Sequence, residues 1–273
     1  MFTDRLKVND FNLEATLNSG QVFGFTETGG FFRGPIAGRA VELKQAGNDL
    51  WTRSSSKKNL VRDIRQYFDL DRDLTPIYEI LEQEEPIRKT LDVFKGLRLI
   101  RQDSWEALAC FIISSNNNVK RIQGIWRNLS SRISEDSCSF PKPREIAASH
   151  EKILRELGLG YRAPYLLRSA QFVAANPDSL KYIRGAEYEE AKERLLQFPG
   201  IGEKVADCVL LYGFQKFEAF PVDTWILRAM RKIYFKNQSV SKNKILRFAQ
   251  NRWGKHAGYV QQYLFHSARM GVI

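Results

Sequence analysis

Lys204 sits in the stretch "FPGIGEKVADC", residues 198–208, where a Gly/Pro-rich turn opens an apolar helix. A helix start carries partial positive charge, so it favours carboxylates and disfavours a cation. Three uses are open to a lysine there: a solvated charge, a phosphate contact, or an amine nucleophile. A positive neighbourhood lowers a lysine's pKa and frees its lone pair, which serves the third use. From this stretch alone the phosphate contact is favoured. Gly200, Ile201 and Gly202 form a hairpin whose N–H groups face outward at a helix start, an arrangement that binds phosphate through backbone alone. Nineteen residues on, Asp223 in "AFPVDTWILRAM" stands directly before a helical run and predicts an N-cap. A carboxylate close to a nucleophilic lysine can also take its proton and face a developing positive charge. The two uses of Asp223 are compatible.

Such groups need a scaffold, and 273 residues suffice for one large domain or two smaller ones. Residues 11–53 are glycine-punctuated and aromatic, with alternating runs at 39–44 and 49–53 that predict strands joined by tight turns. Residues 57–68 and 77–96 predict helices, with Pro76 and Pro86 near helix starts. Beyond about residue 100 helices dominate. Asp103 with Glu106 three residues on predicts a capping box opening "SWEALACFIISS". Later helices are predicted over 188–198, 203–214, 224–235, 242–253 and 258–270. The fold class is therefore α+β and mostly α: an antiparallel-sheet domain with helices over 1–100, then an all-α domain over 101–273.

The formal charge is +11, and residues 192–273 hold 14 Lys/Arg against 5 Asp/Glu, so most of the excess lies in the third that carries Lys204. A localised basic excess favours a polyanionic partner, nucleic acid ahead of membrane. No apolar run approaches the roughly 20 residues that span a bilayer. The start, "MFTDRLKVND", lacks both a secretory apolar core and the Arg/Ser-rich, acid-poor texture of an import leader. Cys110, Cys138 and Cys208 are odd in number and spread out, which argues against a disulfide framework. They cannot build a four-cysteine zinc or iron–sulfur site. An intracellular protein free of metal clusters is expected.

"FPGIGEKVADC" followed by "PVDTW" resembles the helix-hairpin-helix DNA glycosylase superfamily. "SGQVFGF", "ISSNNNVKRI", "LGLGYRA" and "WGKHAGYVQQYLF", collinear from about residue 10 to the C-terminus, narrow the resemblance to the 8-oxoguanine DNA glycosylases. The resemblance implies a helix-hairpin-helix glycosylase core in the helical domain. It implies that Lys204 attacks the deoxyribose C1′, expels the base and forms a Schiff base that leads to strand cleavage, with Asp223 the essential carboxylate. Monofunctional relatives lack this lysine, so a bifunctional glycosylase/lyase is expected. The awkward position of Lys204 then reads as the means of making its amine reactive.

For the base, the resemblance implies that the Gly20 carbonyl accepts from N7–H, a donor in 8-oxoguanine where guanine has an acceptor. Cys208 and Phe265 sandwich the flipped base, and Gln261 contacts its Watson–Crick edge. Read without the resemblance, these are a buried cysteine, an aromatic stripe and an exposed glutamine. Asn116 fills the gap in the duplex, Tyr161 acts as a wedge, and Arg121 and Arg162 donate to the orphaned cytosine. Trp225 departs from the pattern: eukaryotic members typically carry a histidine there that contacts the DNA backbone, and that contact is not carried over. The expected partner is double-stranded DNA containing 8-oxoguanine, bound by a monomer in the cytoplasm or nucleoid of a prokaryote or the nucleus of a eukaryote. No cofactor and no side-chain metal site are expected, although hairpin carbonyls could help a structural cation bridge to phosphate. The competing readings are a glycosylase for other oxidised bases and a non-catalytic hairpin DNA-binding module.

Overall fold

Alternation of apolar and polar residues builds the sheet. In the computed structural model, which describes residues 2–136 and 138–273, the strand Arg39–Ala46 buries Val41 and Leu43 and exposes Ala40 and Lys44. Strands β1 (Phe2–Lys7), β2 (Thr26–Thr28), β3 (Phe31–Ile36), β4 (Arg39–Ala46) and β5 (Asp49–Ser54) form one antiparallel sheet in the order β1-β5-β4-β3-β2. The pairing Ala46↔Asp49 closes the β4–β5 hairpin over Gly47 and Asn48, which pins the register and keeps Leu43 and Leu50 on the buried face. Strand β1 and the helix Leu13–Asn18 are additions to the sequence reading. Of β1 only Leu6 is buried, so the strand carries almost no apolar alternation. The short helix declares itself by a cap: the Asn12 side chain accepts from the Ala15 N–H at 2.9 Å. Leu13 and Leu17 of that helix and Leu60 and Ile64 of the helix Leu60–Tyr67 complete the core over the sheet.

The second core is helical. It takes in Leu81, Ile87 and Leu97 from the segment before residue 100, and Ala15 and Phe23 from the N-terminal stretch, so the two cores interleave. At its centre lie the helix Ser104–Ser114, almost wholly buried, and Tyr259, Val260, Tyr263 and Leu264 of the C-terminal helix Ala257–Met270. Each such side chain contributes roughly 1.5–3 kcal/mol by leaving water. Arg98, 2% exposed, pins the cores together by donating to the carbonyls of Asp10 (2.9 Å), Asp69 (2.6 Å) and Arg72 (3.0 Å). The predicted capping box is only half made. Asp103 accepts from Trp105 and Glu106 N–H, but the Glu106 carboxylate accepts from Trp126 Nε1 at 2.8 Å instead of turning back. Burial, reinforced by Asp103, raises that carboxyl to about 7. Among the described residues no helix is long and apolar enough to cross a membrane.

Candidate active site

The hairpin joins the helices Tyr188–Leu196 and Glu203–Phe214. Gly200 has φ +78°, and a Cβ there would lie 2.5 Å from the Tyr165 ring, so glycine is required twice over. Gly202 caps the second helix without a side-chain bond, which leaves the first N–H groups to an incoming anion. Behind that helix the buried Lys192 pairs with Glu203 at 2.8 Å and Asp207 at 3.1 Å, and Tyr188 Oη donates to Asp207 at 2.6 Å. With Glu203 and Asp207 gripped from behind, Lys204 and Cys208, one turn apart, share a face of the helix. The Lys204 Nζ lies 5.8 Å from the centroid of the Phe111 ring and against the Cys208 thiol.

The expectation of a lowered lysine pKa is corrected here. Burial does pull Lys204 down, but Cys208 and Asp223 together outweigh it, and the amine sits above its ordinary 10.5. Lys204 therefore holds its proton in the free protein; the helix start does not release it. Burial also drives the Cys208 thiol up to about 11, against the pull of Lys204. Asp223 is the N-cap of the helix Thr224–Tyr234, accepting from the Ile226 N–H at 2.8 Å through Oδ1. Its Oδ2 has no hydrogen-bond partner among the described residues, so the cap leaves one oxygen for other work.

Opposite ends of the chain meet at Gly20 and Phe265. Gly20 has φ +81°, and a Cβ there would stand 3.2 Å from the Phe265 ring edge. Gln261 is buried, contrary to the reading of an exposed glutamine: it donates to the Pro221 carbonyl at 3.1 Å and accepts from Tyr212 Oη at 3.4 Å. This ties the C-terminal helix to the segment that leads into Asp223. Tyr212 and Phe111, stacked at 5.2 Å and 13°, form a floor that the sequence reading missed. Tyr212 had a signal, because positions 204, 208 and 212 share one helix face. Two clefts lie away from this group. One of about 770 Å³ is lined by Phe172 and Phe198, and one of about 860 Å³ by Arg101 and Glu106.

His266, beside Phe265, is buried with its ring 4.3 Å from that of Phe94. Burial, then Arg269, lowers its imidazole to about 4. Between pH 6.5 and 4 the unfolded chain takes up a proton that the folded chain refuses, so stability falls across that window and levels off below it. Comparison of wild type with His266→Gln by urea denaturation at pH 7 and pH 4.5 should show wild type losing roughly 2–3 kcal/mol more on acidification. Equal losses in the two proteins would mean that the imidazole is not held neutral.

A second group gathers on the surface. Tyr161, 48% exposed, donates to the Ser115 carbonyl at 3.3 Å, and its oxygen accepts from Asn116 Nδ2 at 3.3 Å. Two stretches 45 residues apart thus form one patch. Arg162 is buried beneath it, donating to the carbonyls of Ser115 (2.7 Å) and Asn116 (2.9 Å), with its guanidinium 4.3 Å from the Tyr161 ring centroid. Its Nε and Nη2 donors are committed to Ser115 and Asn116 and its Nη1 to the Leu159 carbonyl, whereas Arg121 is exposed on the first turn of the helix Val119–Arg132. Trp225 is 41% exposed beside Asp223.

The family model described as "8-oxoguanine DNA glycosylase, N-terminal domain" matches residues 5–108, and that described as "HhH-GPD superfamily base excision DNA repair protein" matches residues 109–255. The chain is similar to a protein of Methanothermobacter thermautotrophicus named "Probable N-glycosylase/DNA lyase", at 34% identity over 97% of this chain and 96% of that one. It is similar to the N-glycosylase/DNA lyase of Saccharomyces cerevisiae at 30% identity, over 74% of this chain and 65% of the yeast protein. Among solved structures, the Clostridium acetobutylicum 8-oxoguanine glycosylase/lyase in complex with dsDNA containing cytosine opposite to 8-oxoG superposes with a TM-score of 0.92. Identity is 31%, covering 100% of this chain and 99% of that one.

Proposed function

The chain belongs to the 8-oxoguanine DNA glycosylase family of the helix-hairpin-helix base excision repair superfamily, and on that premise we propose that it flips 8-oxoguanine out of duplex DNA opposite cytosine, excises it and cleaves the abasic strand. It is a DNA glycosylase with AP lyase activity. The observation that carries the residue assignment is the convergence of Lys204 and Asp223 beside a helix start open to phosphate. A hairpin DNA-binding module has no need of that pair.

Lys204 forms a bond to C1′ as the glycosidic bond breaks, and the base leaves. Loss of an amine proton and opening of the C1′–O4′ bond, with O4′ taking up a proton, then give the Schiff base; removal of a C2′ proton lets β-elimination expel the 3′ phosphate, which breaks the strand. Asp223 faces the positive charge that develops on the sugar, where a fixed carboxylate acts most strongly in a site closed to water. The ammonium must first lose its proton. A base seated against Cys208 and Phe265 buries Lys204 further, and burial is already the influence pulling its pKa down. Gln261 reads the Watson–Crick edge by giving up its bonds to Pro221 and Tyr212. Gly200, Ile201 and Gly202 take a backbone phosphate. The Gly200 and Ile201 carbonyls have no hydrogen-bond partners among the described residues and would be the groups to hold a structural cation, which would supply positive charge beside the phosphate; no step depends on one. We place the enzyme inside the cell as a monomer on its DNA.

Asn116 and Tyr161 fill and wedge the gap, and Arg121 reads the orphaned cytosine. Cytosine offers acceptors at O2 and N3, whereas thymine presents a proton at N3. A mismatch to a donor pair costs roughly 1–3 kcal/mol. Single-turnover excision from four duplexes differing only in the opposing base tests this. Arg121→Ala should slow excision opposite cytosine most, flattening the preference about tenfold. Parallel slowing on all four would make Arg121 a backbone contact. Arg162 should be read as holding the loop first: its removal disturbs Asn116 as well as any contact to cytosine.

A further inference from the structure

The turn at residues 18–20 carries three successive carbonyls, and the chain treats them unequally. Arg269 donates to the Asn18 carbonyl. Gln262 Nε2 donates to the Ser19 carbonyl at 3.0 Å, while Gln262 Oε1 accepts from Tyr212 Oη. The Gly20 carbonyl has no partner among the described residues. Both donors come from the helix that carries Phe265. The Arg269 guanidinium lies 5.6 Å from the Phe265 ring centroid, and one of its nitrogens stands 3.1 Å from where a Cβ on Gly20 would be. Its other neighbour is the neutral His266 ring, whose Nδ1 is 3.5 Å from the same nitrogen that meets Asn18.

Gln21 fixes the far end of the turn, its amide donating to the Thr16 carbonyl (3.1 Å), Ser19 Oγ (2.9 Å) and the Arg98 carbonyl (2.8 Å). The turn is thus clamped at both ends, with the Gly20 carbonyl left open, among the described residues, beside an aromatic wall.

We propose that Arg269, with Gln262, is a positioning residue for lesion recognition: by occupying the carbonyls of Asn18 and Ser19 it fixes the turn so that the free Gly20 carbonyl is the acceptor offered to N7–H of the flipped base. The proposal rests on the base-pocket reading above. A carbonyl discriminates only while it is held in place. A mobile turn rotates away from the repulsive N7 lone pair of guanine as readily as it approaches the N7–H of the lesion. Arg269 acts through the turn and makes no claim on the DNA itself.

The test is equilibrium binding, in a Lys204→Gln background, to duplexes carrying 8-oxoguanine, guanine or an abasic-site analogue at the same position. Arg269→Leu should cut the 8-oxoguanine-to-guanine affinity ratio about tenfold, equivalent to about 1.4 kcal/mol. Affinity for the abasic duplex, which has no base to read, should stay within about twofold. Arg269→Lys keeps the charge but cannot span both the Asn18 carbonyl and the Phe265 ring, so it should lose discrimination too and serves if the leucine variant is unstable. Equal weakening on all three duplexes would make Arg269 a DNA or stability contact and overturn the proposal, as would an unchanged ratio. If the parent Lys204→Gln protein itself fails to discriminate, the base-pocket reading falls instead.

Discussion

Lys204→Gln should bind 8-oxoguanine duplexes with near-native affinity and excise nothing measurable, a loss of at least about four orders of magnitude, the scale on which removing a nucleophile acts. Affinity should hold because the proposed phosphate contact is made by backbone at Gly200–Gly202, and the substitution leaves the hairpin untouched. Packing should hold as well, since glutamine keeps most of the stem over Phe111. The measurements are single-turnover excision and fluorescence anisotropy on one duplex. Near-normal excision would mean that water is the nucleophile and that Lys204 only positions the DNA. Loss of binding in parallel with excision would mean that the ammonium is chiefly a phosphate contact.

Asp223→Asn separates capping from catalysis. Asparagine is as good an N-cap as aspartate, so the bond from the Ile226 N–H survives and the helix Thr224–Tyr234 keeps its start. The charge beside Lys204 does not survive. Turnover should fall about 10²–10³-fold, or ~3–4 kcal/mol, with little change in DNA affinity, because the role proposed for the carboxylate is on charge that exists only in the transition state. The lysine should also titrate lower, since Asp223 is one of the groups that raise it. Near-native turnover would leave Asp223 a cap and nothing more.

Much of this was legible in the sequence because local rules and the collinear stretches agreed. The helix Glu203–Phe214 begins where Gly202 says it should, and Asp223 caps as its position before an apolar run requires. What stayed hidden depends on contacts between distant segments. Strand β1 has one buried residue and no readable period. The Lys204 pKa could not be inferred from the helix dipole, because Cys208 and Asp223 oppose burial and prevail. Without the resemblance Gln261 reads as an exposed glutamine, but the segment before Asp223 folds over it. Arg162 and Arg121 read as a matched pair in sequence, yet the "NNN" loop buries one and leaves the other exposed. The clamp on the Asn18–Gly20 turn joins residues 251 apart, beyond any local pattern.

Covalent trapping tests the central claim most directly. The native protein is incubated with an 8-oxoguanine:cytosine duplex in the presence of borohydride, digested, and the modified peptide located by mass spectrometry. Reduction should capture a protein–DNA adduct on the peptide carrying Lys204, in a yield that tracks base excision. Excision without any trapped species, or an adduct on another lysine such as the paired Lys192, would contradict the account.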